Sequence, residues 1–548
     1  MKRIAVPWDW VKSLALRGAR CEALLVAIGL GVPLSLGIIA SADYGLGWDE
    51  SIQHRLARQA WRYVFQDGSG YLRSADRVYG PAFELLLLAA EKALRIEDIR
   101  DVYLLRHLLT FLTFWSAALA FHALARRSFR SWRLGLLAST LLFLSPRIVA
   151  DAFYNSKDLP FLSFFVIAVW TLFRFLDKPT LARALVHALA CAFATDIRIM
   201  GVLLVPLSVL GALASGRGGG PVSSLPGPRA LLTAAVMAAG YLAGVVLLWP
   251  FLWRQPLQRF AEAFAVMAHF PWRDPVLFMG QRSPATELPW LYLPVWIGIT
   301  TPLSVLLFLP LGMARGLRRF RHRGEGCAEV AVTLAWALLP VAGVIALRSV
   351  LYDGWRQMYF VYPALVMLAV AGIRLAWHLA RDIRAKSWKR ATAAAGIVLF
   401  LADMADTTCW MIRWHPYQNV YFNRLAGSRA SLSQRFEVDY WGVSARRLLE
   451  YVVTSDSRSE ITVFAVEPSV EGSAQMLLRD NRRRLRFVSD PADADYIVTH
   501  HRYGTAAAAT ADEVFSVRVD GMRIGSVMRG CRAATAATWP SRSGSTDP

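Results

Sequence analysis

The chain is short of charge, and shorter of acid than of base. Only 18% of its 548 residues are Asp, Glu, Lys or Arg, and 61 basic side chains face 40 acidic ones, for a net charge of +21. Soluble domains run nearer a quarter charged, so the deficit excludes an ordinary water-soluble globule. Cysteine is scarce as well. Cys21, Cys191, Cys327, Cys409 and Cys531 form no CxxC and no regular spacing, which excludes a disulfide framework and a cysteine metal site. A single Cys409–Cys531 bridge is left open. No acidic triad stands out, no cofactor is implied, and a divalent metal is not indicated.

What fills the chain instead is apolar sequence, in blocks of about twenty residues, the length that crosses a hydrocarbon core. Such blocks run over 22–41, 103–124, 134–149, 159–176, 181–195, 199–214, 229–252, 290–313, 328–348, 358–379 and 391–410. They predict a polytopic α-helical membrane protein with about eleven spans, of which 181–195 is the weakest.

The basic residues sit in alternate short loops. Arg126, Arg127, Arg130 and Arg133 form one set; Arg174, Lys178 and Arg183, then Arg217, then Arg315 to Arg323, then Arg381 to Arg390 form the others. By the positive-inside rule these loops are cytoplasmic. The N-terminal segment, with Lys2, Arg3, Lys12, Arg17 and Arg20, belongs with them. This placement accounts for the net positive charge without nucleic acid as a partner; membrane lipid is the partner it implies. The longer loops 42–102, 150–158, 253–289 and 349–357, and everything after 410, face outward. "ASA" at 40–42 resembles a cleavage site, but the long leading segment and the ten spans that follow favour an uncleaved first span.

The first external loop carries "ESIQHRLARQAWRYVF", which places Ile52, Leu56, Ala60 and Val64 on one helical face, suited to lie on a membrane surface. "YGPAFELLLLAAEKAL" (79–94) predicts a second such helix, opened by Pro81. Residues 1–410 are expected to form the membrane module and 411–530 a small external α/β domain. In that domain, strands are expected at 460–466 and 495–501, a helix at 473–485, and a hairpin over 514–528 turning at Asp520-Gly521. The last stretch, 531–548, reads as a disordered tail.

Polar residues near a membrane are costly and suggest function. Here they gather at the external ends of the spans. Asp49 and Glu50 follow the first block at once, in "GLGWDES". Asn155, Lys157 and Asp158 lie in "DAFYNSKDLPF"; Asp196 and Arg198 in "TDIRIMG"; Tyr352, Asp353 and Arg356 in "LYDGWRQMYF"; His415 in "RWHPYQNVYFN". Acids beside cations at one face suit an anionic, partly greasy substrate. A sugar on a lipid phosphate needs one carboxylate to take a proton from the acceptor, cations for the leaving phosphate, and an apolar groove for the tail. One base opposite the leaving group gives inversion; retention needs two flanking carboxylates. Asp49 and Glu50, being adjacent on a helix, point in different directions and make a poor flanking pair.

"GWDE", "FYNSKDLPF", "TDIRIMG", "LPWLYLPVWIGITTP", "YDGWRQMYFVYP" and "HPYQNVYFN…FEVDYWG" occur in order. Together they resemble bacterial members of the protein O-mannosyltransferase and aminoarabinose-transferase superfamily, membrane glycosyltransferases of the C fold. The resemblance covers roughly residues 22–450. It implies a polyprenyl-phosphate sugar as donor and a bacterial inner membrane as location. It implies Asp49 as the catalytic base, with Glu50 supporting it, and Lys157, Arg198 and Arg356 as phosphate-binding cations. Asn155, Asp158, Tyr352, Asp353 and His415 are further site candidates. No β-trefoil insertion is evident in the loops, which weakens a protein acceptor and leaves a lipid, glycan or small-lipid acceptor open.

Plainer roles compete for each residue. Asp49 suits a helix N-cap, and Lys157 and Asp158 suit a local ion pair. Asp196 and Arg198 suit an interfacial anchor, and Arg356 a snorkelling cation. His107 suits an interhelical hydrogen bond. Trp48, Trp290, Trp355 and Trp414 suit an interfacial belt. A flippase for lipid-linked sugars and a non-catalytic scaffold are the rival functions. A flippase needs charge along a path through the bundle, whereas here most of it sits at the external ends.

Overall fold

The computed structural model describes residues 8–66, 68–217, 220–222, 225–272, 274–321, 326–382, 384, 386–502 and 512–530. The expected tail at 531–548, Cys531, the basic residues Lys2 and Arg3, and Arg323 lie outside them. The side chains of Lys12, Arg17, Arg20 and Arg217 lie outside them as well. Cys21, Cys191, Cys327 and Cys409 are free thiols.

The protein is a mostly helical polytopic membrane protein with a small C-terminal sheet domain. Among the described residues eight helices are long and apolar enough to cross a bilayer: Cys21–Ala40, Ile99–Phe129, Asp158–Asp177, Ile199–Gly216, Gly227–Leu248, Cys327–Ala346, Arg356–Arg381 and Ser387–Arg413. Two bent pairs raise the number to ten. Trp132–Phe143 meets Pro146–Tyr154 at 69°, and Tyr292–Thr300 meets Leu303–Arg321 at 113°. Ten of the expected eleven blocks are thus accounted for by length and composition, and the eleventh is 181–195. That helix, Leu181–Ile197, has 17 residues, at the short end of what crosses a bilayer, and it runs back along the Asp158–Asp177 span, from Arg183 beside Arg174 to Arg198 beside Asp158.

Burial sorts the spans. Asp158–Asp177 and Arg356–Arg381 have 78% of their most apolar stretch inside the protein, against 11% for Cys21–Ala40 and Ser387–Arg413. The first two are the centre of the bundle, and the last two present their sides outward, where leucine and valine are stable only in lipid.

Helix ends are set by local chemistry. Asp98 accepts a hydrogen bond from the Arg100 N–H at 2.9 Å and opens the Ile99–Phe129 helix. Arg130, at φ 51°, closes it, and Ser131 caps the helix that follows. Pro81 stands at the N-cap of Ala82–Ala93, the second loop helix.

The first loop helix, Glu50–Phe65, is not the surface helix expected. Its buried face holds Glu50, Gln53, His54, Leu56, Ala57 and Ala60. Three polar side chains are therefore turned inward. Two of them have partners there: His54 Nε2 lies 3.0 Å from Glu91 on the second loop helix, and Glu50 meets His107.

The sheet domain has five strands. Ile461–Ala465 pairs in parallel with Leu485–Phe487 on one side and Tyr496–Thr499 on the other. Met522–Arg529 lies antiparallel to Tyr496–Thr499 and to Glu513–Val519. The hairpin turns at Asp520 and Gly521, both left-handed at φ 50° and 81°. The expected helix at 473–485 is instead three short pieces, Pro468–Ser473, Ala474–Met476 and Arg479–Arg483. Extended backbone at Leu477 and Leu478 interrupts it, with Leu477 turned into the core. This domain sits at the Ile99 end of the bundle, where Arg482 meets Asp98 at 3.5 Å. The arginines after Phe129 are at the other end.

Candidate active site

At the sheet-domain end, the starts of three helices converge: Glu50–Phe65, Asp158–Asp177 and Arg356–Val361. Arg356 joins them. Its Nη1 lies 3.0 Å from Asp158 Oδ2 and 3.4 Å from Asp49 Oδ2, and its Nη2 lies 3.0 Å from Asp353 Oδ2. Arg198, at the break between Leu181–Ile197 and Ile199–Leu203, pairs with the other oxygen of Asp158. A buried cation without partners is costly; Arg356 meets three carboxylates.

Local geometry explains the placement. Asn155 Oδ1 accepts from the N–H of Asp158 at 2.8 Å and of Lys157 at 3.3 Å, and its Nδ2 donates to Asp158 at 2.9 Å. This side-chain turn opens the helix and holds Asp158 toward the arginines. Asp353 and Gly354 are left-handed at φ 55° and 71°. That reversal brings Asp353 back to Arg356, and glycine tolerates it without strain.

The carboxylates differ in exposure. The Asp158 side chain is 1% exposed, Asp353 6% and Asp49 23%. Asp49 stands at the N-cap of its helix but makes no side-chain cap hydrogen bond. Its carboxylate faces Arg356 and open space. Glu50 is turned elsewhere: it is 2% exposed, 3.0 Å from His107 Nε2, and accepts from the Gly47 N–H at 2.8 Å.

Lys157 makes no ion pair among the described residues, so the expected local pair with Asp158 does not form; Asp158 pairs with the arginines. The Lys157 ammonium lies 3.4 Å from the centroid of Tyr79, a cation–π contact. Burial holds its pKa down to about 8, against the carboxylate of Asp49, which raises it, and with Arg198, which lowers it further. Tyr352 stacks on Trp272 at 3.8 Å and lies beneath Arg356, 5.1 Å from its ring centroid to the guanidinium.

Beside these cations lies a cavity of about 220 Å³ whose lining includes Tyr79, Arg198, Trp249, Phe264, Leu339 and Tyr352. Phe264, Leu339 and Leu347 in its wall are exposed, so it opens sideways past the Cys327–Ala346 span. It is an apolar groove with a cation at its head.

Asp49, Lys157, Asp158, Arg198, Tyr352, Asp353 and Arg356 are thus gathered, with Asn155 shaping one wall. His415 is not among them: its partners are Asp43 at 2.8 Å, Gln418 at 3.1 Å and the edge of Tyr44. Asp196 is not an interfacial anchor but a buried carboxylate accepting from the Ala82 N–H at 2.8 Å. Trp355 is buried, donating to Thr300 at 2.8 Å, and is no belt residue.

Sequence reasoning missed Arg502, which reaches Asp353 from the sheet domain at 2.8 Å. Trp441, expected with Asp439 and Tyr440 to join domain to membrane with acceptor contact open, walls the site, 4.7 Å from the Arg356 guanidinium and donating to Asp151 at 3.2 Å. Trp441 stood in the quoted "DYWG"; nothing marked Arg502 among so many arginines.

Fold and site together define a multi-pass membrane protein with a charged cluster and an apolar groove at one end of its bundle. The solved structures similar to it include the following two. The oligosaccharyltransferase of Archaeoglobus fulgidus, tethered to an acceptor peptide, is 13% identical with a TM-score of 0.47, over 87% of this chain and 69% of that one. ArnT from Cupriavidus metallidurans in the apo state is 16% identical with a TM-score of 0.46, over 92% of this chain and 98% of that one. No family model matches the chain, and no curated protein matches it in sequence.

Proposed function

We propose that the protein moves a sugar, with inversion, from a polyprenyl-phosphate donor to an acceptor on a lipid, glycan or protein. The observation that carries this reading is one partly exposed carboxylate, Asp49, held by Arg356 and acting on Lys157, close to Arg198 and Tyr79 in the wall of an apolar groove. The tail lies in the groove and the phosphate at its head. Asp49 takes the proton from the acceptor hydroxyl or amine. The acceptor atom bonds to the anomeric carbon as the bond from that carbon to the phosphate oxygen breaks. The polyprenyl phosphate leaves with one more negative charge than it arrived with, and Lys157 and Arg198 stabilise that charge.

Arg356 has a different part. With three carboxylates around it, it orients Asp49 more than it holds phosphate. This end of the bundle faces the periplasm of a bacterial inner membrane, and the N-terminus is cytoplasmic. The arginines after Phe129 and around Arg318, at the far end, support that orientation.

The test is transfer by purified Asp49→Asn protein with the lipid-linked sugars extracted from source membranes. Loss of transfer on the order of a thousandfold or more, with undecaprenyl phosphate still bound, is expected. A variant that transfers at the parent rate removes the reading.

A further inference from the structure

Arg502 is the residue the sheet domain sends into the cluster. It follows the strand Tyr496–Thr499, through His501 at a left-handed φ of 61°. The buried carboxylate of Glu467 pins that turn, accepting from Thr499 Oγ1 at 2.9 Å and from the N–H of His500 and Arg502, both at 3.1 Å. The guanidinium lies between two indoles, 4.9 Å from Trp48 and 5.5 Å from Trp272. Nη1 donates to the carbonyl of Tyr440 at 2.6 Å and Nη2 to Asp353 Oδ1 at 2.8 Å. A planar guanidinium stacked and bonded at two points has little freedom left.

Asp353 therefore has a cation on each oxygen, Arg502 on one and Arg356 on the other. Arg356 in turn has Asp49 and Asp158 on its second nitrogen. A second carboxylate lies close by: burial and then the charge of Asp353 push Glu437 up to about 7, with Arg502 opposing. Without Arg502, Asp353 has Arg356 as its single cation and Glu437 as an unbalanced neighbour. Arg356 is then drawn toward Asp353 and away from Asp49.

We propose that Arg502 is a positioning residue for transfer: by holding Asp353 it fixes Arg356, and through Arg356 the place of Asp49. The inference rests on Asp49 as base. Displacing a reacting group by about 1 Å costs roughly a hundredfold in rate. Asp49 is also faced by Lys157, Asp76, Tyr79 and Tyr352, whose ionisations feel its charge. Of these, Tyr352 stacks on Trp272 and so also feels the Arg502 side.

The test uses the full chain in detergent, with Arg502→Ala and Arg502→Lys. Turnover is followed with lipid-linked sugars extracted from source membranes, and lipid binding with undecaprenyl phosphate. For Arg502→Ala a fall in kcat of roughly a hundredfold is expected, with undecaprenyl phosphate affinity within about twofold of the parent. Arg502→Lys recovers part of the rate, keeping charge without the two-point geometry. Amide exchange is expected to quicken in Trp48–Gln53 and Leu351–Gln357 only. A parent-like kcat in Arg502→Ala overturns the proposal, as does a general loss of protection with lipid binding lost in step. If Asp49→Asn keeps full activity, the reading of Asp49 as base fails instead. The local exchange change then still decides whether Arg502 holds the turn.

Discussion

His107 Nε2 lies 3.0 Å from Glu50 Oε1, with both side chains closed off from water. This contact divides the labour of two adjacent acids. Glu50 ties the first loop to the Ile99–Phe129 span and accepts from Gly47, whereas Asp49, one residue back, is left facing Arg356. Glu50→Ala strands the His107 imidazole and the Gly47 N–H, at a cost of about 1–3 kcal/mol for each buried group left unpaired. Thermal unfolding in detergent is expected to show a lowered Tm for Glu50→Ala, a smaller drop for Glu50→Gln, and none of this loss for Asp49→Asn. An unchanged Tm in Glu50→Ala would show that the contact holds nothing.

Arg106 lies in the same span and is 1% exposed, with Glu84 on Nη2 and Glu91 on Nη1 at 2.9 Å. Glu84 also accepts from Ser156 at 2.5 Å, next to Lys157, and Glu91 meets His54. The network joins both loop helices to the Asn155 turn. Arg106→Met leaves two buried carboxylates without their cation, expected to cost about 3–5 kcal/mol. Neutralising both partners as well, in Arg106→Met/Glu84→Gln/Glu91→Gln, is expected to restore most of the stability, because an apolar or neutral replacement of a whole buried network costs little. Equal Tm losses in the single and triple variants would contradict this account.

Much of this is legible in the sequence. Spans announce themselves through uninterrupted apolar length, and Asp49 through its position directly after one. Lys157, Arg198 and Arg356 stood out as charges at span ends, where charge is costly. The bends were not legible. A span broken after Leu144 or Thr301 keeps its apolar composition, so hydropathy sees one run where the backbone makes two helices. The inward face of Glu50–Phe65 was hidden for a related reason. Apolar periodicity sets Ile52 and Val64 toward the membrane, but His54 turns inward to Glu91 and Glu50 to His107. Arg502 had no sequence signal, since its role depends on how a sheet domain docks against the bundle.

Lys157 carries a pH prediction. Burial holds its folded pKa near 8, below the roughly 10.4 of an exposed lysine. The ammonium is therefore present below about 8 and lost above it. Affinity for undecaprenyl phosphate is expected to be level up to that pH and then to fall by up to about tenfold per pH unit. In Lys157→Arg, which stays charged, the fall disappears. In Lys157→Met, affinity is lower and flat across the range. The linked stability has the opposite sense. Between about 8 and 10.4 the unfolded chain binds the extra proton, so this group's contribution to stability rises with pH. Binding titrations from pH 7 to 10 check the first statement; an alkaline fall that persists in Lys157→Met would assign it to another group.

The groove gives the last prediction, which separates lipid recognition from chemistry. Gly343 lies in the Cys327–Ala346 helix and in the groove wall, and a Cβ built there meets nothing within 4 Å. Gly343→Phe therefore directs a ring into the space assigned to the isoprenoid tail without touching the cation cluster. Replacing a helical glycine also favours the helix by roughly 0.3–1 kcal/mol, so Tm is expected to hold or rise. KM for a long-tailed donor is expected to rise about tenfold or more, the equivalent of about 1.4 kcal/mol of lost binding, while a donor cut to two isoprene units reacts as before. Asp49→Asn shows the converse, lost turnover at retained binding. Should Gly343→Phe leave the long-tailed donor's KM unchanged while folding normally, the tail lies elsewhere, and Arg198 loses its standing as the cation at the head of its groove.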